Sequence, residues 1–400
     1  MNASADGTQR AGCVIPSGCY VSVRPVSFVT GRGRHILEVQ LSHWRRTPED
    51  NPMPFEHWRR EPGPRITGGR GLDLWKVQAP GIVRRPEGGW RLFYTAVGPE
   101  RPFDACQGVL LSAVSEDGLD FTLEPGIRVA PQPHRSELAL RVLAPTILPV
   151  GEKHWRMYFE GRGTADRPTV IASALSDDQL HWTVEPGVRL RCRDDLHGPR
   201  VLREPDGTVR IECVRATQVN CADIASTSVS SVVTAISQDG LQFDWLAGER
   251  LRSGSGPLDS AGITAAEVCP PANPGGAWQM VYSAWQQPPA GTVIPVHPSQ
   301  DPRAVENGLS ADFARASIAV DLAGYRSRIL LATSADGLTW RRGPVLVEGP
   351  GYGCDGMDAI HAEDMTLAEL GNGRFRMYYA ACDRHGRWQI ASAINQRLEL

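Results

Sequence analysis

The chain has 400 residues, 41% of them hydrophobic and 22% charged, with a formal net charge of −3, the make-up of one folded body with a sizeable core. No basic run stands out and the longest apolar stretches are strand-sized, which argues against nucleic acid and against a membrane as partners. The N-terminal Met1-Asn-Ala-Ser-Ala-Asp-Gly7 lacks the basic and apolar blocks of a signal peptide, so the expected location is cytoplasmic. Nine cysteines (Cys13, Cys19, Cys106, Cys192, Cys213, Cys221, Cys269, Cys354 and Cys382) show no CxxC spacing, which predicts buried thiols, not a zinc site or a disulfide framework.

Residues 1–55 read as an N-terminal arm, with Tyr20 to Val29 and His35 to Leu41 as an extra hairpin. Trp58-Arg-Arg-Glu-Pro-Gly-Pro-Arg-Ile66 follows, and its pattern returns as Phe121-Thr-Leu-Glu-Pro-Gly-Ile-Arg-Val129 and Trp182-Thr-Val-Glu-Pro-Gly-Val-Arg-Leu190. The first full unit holds four predicted strands: Ala79 to Arg85, Trp90 to Ala96, Val109 to Ser115 and Phe121 to Val129. Two landmarks repeat it. The turn Ser115-Glu-Asp-Gly-Leu-Asp-Phe121 recurs as Ser176-Asp-Asp-Gln-Leu-His-Trp182, Ser237-Gln-Asp-Gly-Leu-Gln-Phe243 and Ser334-Ala-Asp-Gly-Leu-Thr-Trp340. Asp117, Asp178 and Asp239 fall 61 residues apart and Asp336 follows after 97, a single insertion of about 36 residues in the fourth unit, from near Gln286 to Arg326. Its Pro288-rich first half reads as irregular, and Leu309 to Val320 as a short helix.

The second landmark is Trp90-Arg-Leu-Phe-Tyr94, Trp155-Arg-Met-Tyr-Phe159, Val209-Arg-Ile-Glu-Cys213, Trp278-Gln-Met-Val-Tyr282 and Phe375-Arg-Met-Tyr-Tyr379, which makes five units. Four strands and roughly 60 residues per unit predict an all-β, five-bladed β-propeller spanning 56–400, with four-stranded antiparallel blades. The fifth unit ends one strand short. The strand at Trp58 to Ile66 is expected to complete it and so close the ring. Gln179, standing where the other turns carry Gly, is expected to change the turn type.

Blade count, aromatic second strand, Ser-x-Asp-Gly turn and N-terminal closing strand together resemble the furanosidase-type five-bladed propeller glycoside hydrolases, the group of arabinanases, β-xylosidases and invertases. The resemblance implies a substrate funnel on the propeller axis where inner strands present three carboxylates: a base or nucleophile, an orienting acid and a general acid. It implies no organic cofactor, and an axial cation such as calcium with a histidine nearby is compatible with it. Glycosidic cleavage passes through an oxocarbenium-like state, so one carboxyl must stay protonated while another is ionised.

Counting eleven residues back from each aromatic second strand aligns Ala79, Ala144 and Gly198 with Glu267 and Asp364. The family's first-blade acid is usually Asp-Pro; here the matching pair is Ala79-Pro80. Acids gather on blades four and five, which makes Glu267 the candidate general acid and Asp364 or Glu363 the candidate base or nucleophile. His361, His197, Gln78, Arg141, Asp195 and Glu160 are candidates for touching substrate near the funnel mouth, while solvated loops, caps and salt bridges are the alternative use of each. The expected partner is a small polar or sugar-like substrate. Two functions remain open: a glycoside hydrolase or transglycosidase, and a repurposed propeller, either a non-hydrolytic acid/base enzyme such as a cyclase or lyase, or a binding scaffold.

Overall fold

A computed structural model describes residues 55–395 apart from 70, 152, 165–166, 217–228, 272–274, 287–325 and 352–353. The expected arm hairpin and blade-four insertion, with its helix, lie outside the described residues. The described chain forms five antiparallel sheets, four of them made of strands consecutive in sequence and the fifth joining the two ends of the described chain. Blade one is Lys76–Arg84, Trp90–Val97, Val109–Ser115 and Thr122–Leu123; blade two is Arg141–Pro149, Trp155–Arg162, Val170–Ser176 and Thr183–Val184. Blade three is Asp195–Arg203, Val209–Ala216 and Ser230–Ser237 with a split outer strand, Asp244–Trp245 and Leu251–Arg252. Blade four is Gly262–Cys269, Trp278–Gln286, Arg326–Ser334 and Arg341–Val347. Blade five is His361–Gly371, Arg374–Cys382 and Trp388–Asn395, and the N-terminal pieces Trp58–Arg60 and Ile66–Thr67 run antiparallel along its last strand, with Trp58 opposite Asn395 and Ile66 opposite Ile390.

A middle strand sandwiched between two neighbouring blades has no solvent face, so Trp90–Val97 is buried at every residue and is apolar or aromatic except at Arg91 and Thr95. The core is accordingly a slab at each blade interface. Phe93 of blade one packs with Met157 and Phe159 of blade two. Leu92 and Tyr94 of blade one pack with Tyr378 and Ile390 of blade five, an interface that joins the two ends of the ring.

The Ser-x-Asp-Gly turns fasten the blades at their rim. Asp117 Oδ1 accepts from the N–H groups of Leu119 (2.8 Å) and Asp120 (3.1 Å), and Ser115 Oγ accepts from Gly118 N–H (2.9 Å). Those backbone donors hold the Asp117 carboxyl down at about 2. The turn's own carbonyl is then free for the preceding blade: Arg91 donates to Asp178 O (3.2 Å), Arg156 to Asp239 O (3.1 Å) and Arg376 to Asp117 O (2.8 Å). Each of these arginines also grips a carboxylate of its own blade through two nitrogens, Glu124, Glu185 and Glu61 respectively. The recurring Glu-Pro-Gly of the sequence is therefore one half of an inter-blade clasp.

The expectation that Gln179 alters its turn is corrected. Gln179 takes φ +63°, close to the +70° to +76° of Gly118, Gly240 and Gly337, and Asp178 Oδ1 still accepts from the two following N–H groups. The strain of a left-handed side-chain-bearing residue is offset by its buried amide, whose Nε2 donates to Arg84 O (2.9 Å) and whose Oε1 accepts from Arg91 (3.0 Å).

The six described cysteines, Cys106, Cys192, Cys213, Cys269, Cys354 and Cys382, are all free thiols, with burial pushing Cys213 and Cys269 well up. Titration with a thiol reagent after denaturation, without reductant, is expected to count at least these six. A lower count, recovered only after reduction, contradicts that state.

Candidate active site

Inner strands present their residues to the axis, and four of the five kink at the same step. In blades one, two, three and five a bulge sets two residues against one, and its first residue is left-handed: Ala79 (φ +47°), Ala144 (+50°), Gly198 (+51°) and Asp364 (+53°). Three of these are Ala or Gly and carry no polar side chain; Asp364 alone carries a functional one. A side chain from the neighbouring blade caps the kink. Ser283 Oγ accepts from Asp364 N–H (3.1 Å), as Thr95 Oγ1 does from Ala144 N–H (2.9 Å). Glu160 and Ser283 are each five residues past the start of the aromatic strand, the step of Thr95, and Glu160 Oε2 lies 3.4 Å from Gly198 N. Asp364 keeps a partly exposed surface, while burial, reinforced by the charge of adjoining Glu363, pushes its carboxyl up to about 7 against the pull of Arg200 and Lys76. Glu363 is buried and its Oε2 accepts from Trp285 Nε1–H (2.7 Å).

The alignment of Glu267 with Asp364 is corrected. Judged by the middle-strand partner, Glu267 opposite Val281 matches Gly81 opposite Phe93, Thr146 opposite Tyr158, Arg200 opposite Glu212 and Thr366 opposite Tyr378. Glu267 thus stands two residues farther along the channel than the left-handed step. The cause is the hairpin: nine residues separate Gly81, Thr146, Arg200 and Thr366 from the start of their aromatic strands, whereas eleven separate Glu267 from Trp278. At this level Glu267 Oε1 accepts from Leu367 N–H (3.0 Å) and Oε2 lies 3.5 Å from Arg200 Nε. Burial pushes its carboxyl up to about 7 despite Arg200. Sequence reasoning passed over Arg200 altogether, because a single arginine after Gly198-Pro199 carries no pattern.

A second charged group lines the side facing blades two and three. Glu160, on a middle strand, is buried; His197 Nδ1 lies 3.2 Å and Arg141 3.8 Å from its Oε1, and the imidazole is 30% exposed. Burial works against both charges, but each outweighs it for the other, so Glu160 lies below and His197 above its ordinary value. Between the ordinary values of 4.5 and 6.5 the pair contributes most; its contribution is lost below as Glu160 protonates and above as His197 deprotonates. Glu160→Gln is therefore expected to lower the His197 pKa, read by NMR, and to cost most stability near pH 5 to 6. An unmoved histidine titration contradicts the pairing.

The remaining candidates sit in fixed roles. His361 is buried, accepts at Nδ1 from Ser327 N–H (3.2 Å) and stacks on Trp388 (5.5 Å), so the proton of its neutral ring is on Nε2. Lys76 places Nζ 4.2 Å over the other part of this cluster, the Trp388 ring. Asp195 Oδ1 accepts from Thr169 N–H (2.7 Å). Gln78 precedes Ala79 and is partly exposed at the channel.

Neither a protein-family model nor a curated protein sequence matches the chain. Solved structures do. A glycoside hydrolase superposes with TM-score 0.57 at 14% identity, over 88% of this chain and 97% of that one. An endo-arabinase from Bacteroides thetaiotaomicron gives 0.54 at 11%, over 84% and 98%. An N-acetylgalactosamine deacetylase from F. plautii, in complex with blood group B trisaccharide, gives 0.56 at 14%, over 84% and 95%. The chain has the fold of the five-bladed propeller glycoside hydrolases. Within that fold its site departs from the family pattern at Ala79-Pro80. An axial metal does not fit the residues present: the described residues contain no group of three or more His, Cys, Asp or Glu able to hold one, and Arg200 already engages the oxygens at the axis.

Proposed function

We propose that the protein is a glycosidase-like acid–base enzyme acting on a small sugar-containing molecule in its axial funnel. The observation that carries this reading is Asp364, a partly exposed residue at a left-handed step whose carboxyl is poised to hold or give a proton near pH 7. In the proposed reaction Asp364 protonates the leaving oxygen as the glycosidic C–O bond breaks. Glu363, kept as an acceptor by Trp285, and Glu160 favour the positive charge developing on the sugar. In a ring of five, blades two and three stand across the axis from blade five, so the neutral fraction of His197 is placed to take the proton of the incoming water. Glu267 is assigned to Arg200 and not to proton donation.

The test is release of nitrophenol from a panel of 4-nitrophenyl furanosides and pyranosides. Turnover of at least one, lost in Asp364→Asn, supports the reading. A folded protein that cleaves none shifts the assignment to the repurposed propeller. One observation favours that second reading: the left-handed step of blade one carries Ala79, with no acid to complete a trio.

A further inference from the structure

We propose that Arg200 is the axial cation of this propeller, supplied by the chain itself, and that it positions Asp364 by holding that residue's left-handed peptide. The proposal concerns the same funnel but does not depend on which reaction takes place there.

Arg200 is 2% exposed, and its guanidinium reaches the inner strands of four blades. Nε donates to Met365 O (2.9 Å), Nη1 to Pro199 O (2.9 Å), and Nη2 to Asp364 O (3.2 Å) and Pro80 O (3.5 Å); Glu267 lies beside Nε. A group that touches blades one, three, four and five at once lies in the central channel. The neighbouring residues leave room for one such side chain. At the step of Arg200 the other blades carry Gly81, Thr146, Thr366 and Glu267, and a Cβ at Gly81 would stand 2.1 Å from Pro145 O. Three short residues, one guanidinium and one carboxylate fill the ring at that level. The approach to it is equally specific: Gly198 is left-handed, and a Cβ there would meet Thr264 O at 2.8 Å.

Backbone carbonyls converging on an axis form a cage for a hard cation, which needs oxygens at roughly 2.3–2.6 Å. Here the carbonyls of Pro80, Pro199, Asp364 and Met365 already accept from the planar fork of a guanidinium. A metal at the same oxygens would sit against that buried charge, where repulsion is strong. The hydrogen bonds also explain how a strained residue persists. Asp364 is held from both ends, its N–H by Ser283 and its C=O by Arg200, and a conformation outside the favoured regions survives only when its surroundings over-determine it. The charges facing this centre are Lys76 from blade one, Glu160 from blade two, Glu267 from blade four and Glu363 from blade five.

The experiment uses the full-length chain, its melting temperature and the carboxyl titration of Asp364 followed by carbon NMR. In the wild type, neither EDTA nor millimolar calcium is expected to move the melting temperature; a shift of several degrees with either overturns the axial-cation assignment. Arg200→Met is expected to melt about 5 to 10 °C lower. In the folded Arg200→Met protein the Asp364 titration should move upward by about one unit or more, since an opposing charge has gone. An unchanged titration overturns the positioning role. If Arg200→Met does not fold, Arg200→Lys keeps the charge but loses the fork; it should melt lower than wild type, and equality with wild type in both readouts overturns the proposal. Neither readout requires turnover, so failure of the proposed reaction leaves this test intact.

Discussion

Asp364→Asn is expected to lower turnover by at least about a hundredfold while raising the melting temperature at pH 8 by a few degrees. The two effects have one cause. Folding raises this carboxyl from its ordinary 3.8 to about 7, so the folded chain binds the proton more tightly than the unfolded one. The contribution of this carboxyl to stability is then greatest below about pH 4 and is lost as pH climbs through 7, where the wild type must bury a charge next to Glu363. Asparagine carries no such charge and tolerates left-handed φ at least as well as aspartate, and the caps from Ser283 and Arg200 are to backbone atoms it retains. Its cost falls on chemistry alone, because it cannot give up a proton to a leaving oxygen. Aryl substrates with good leaving groups should suffer less. Turnover that survives the substitution, or a variant that melts lower than wild type at pH 8, contradicts the assignment.

The ring was legible in the sequence because several blades share one rim chemistry, the turn in blades one to four and the Arg–Glu clasp in blades one, two and five. Ser, Asp and Gly are needed to fold the turn, and Arg with Glu-Pro-Gly to clasp it, so identical spacing reports identical structure. Asp364 was legible by the same logic, since the eleven-residue spacing of Ala79, Ala144 and Gly198 holds in its blade. Glu267 was misplaced by two residues, because hairpin length is free to vary where the loop is solvated and spacing counted across it loses register. Arg200 and the Glu160–His197 pair had no signature of their own. Each is made by contacts between blades, and a repeat pattern describes what blades share, not what a single one adds.

Glu61→Ala is expected to lower the melting temperature by about 5 to 10 °C, and by more than Glu124→Ala. Both carboxylates do the same local job. Glu124 accepts from Arg91 Nε and Nη2 (both 2.9 Å) and from Ser112 Oγ (2.6 Å), and Glu61 accepts from Arg376 (2.8 and 3.0 Å) and Ser392 Oγ (2.7 Å). Removing either leaves a buried guanidinium without its partner, which costs about 3–5 kcal/mol. The difference lies in the connection. Glu124 directly follows the strand Thr122–Leu123, tied to its blade by the turn after Ser115, whereas Glu61 comes from the opposite end of the chain and reaches Arg376, more than 300 residues away. Losing it weakens the pairing of Trp58–Arg60 with Trp388–Asn395 and exposes that strand as an open edge, so added aggregation on heating is expected as well. Arg376→Lys should rescue little, because an ammonium cannot bridge both Glu61 oxygens and Asp117 O at once. Equal melting temperatures for the Glu61 and Glu124 variants would show that the rim clasp matters only locally and that the N-terminal strand is not what holds the ring shut.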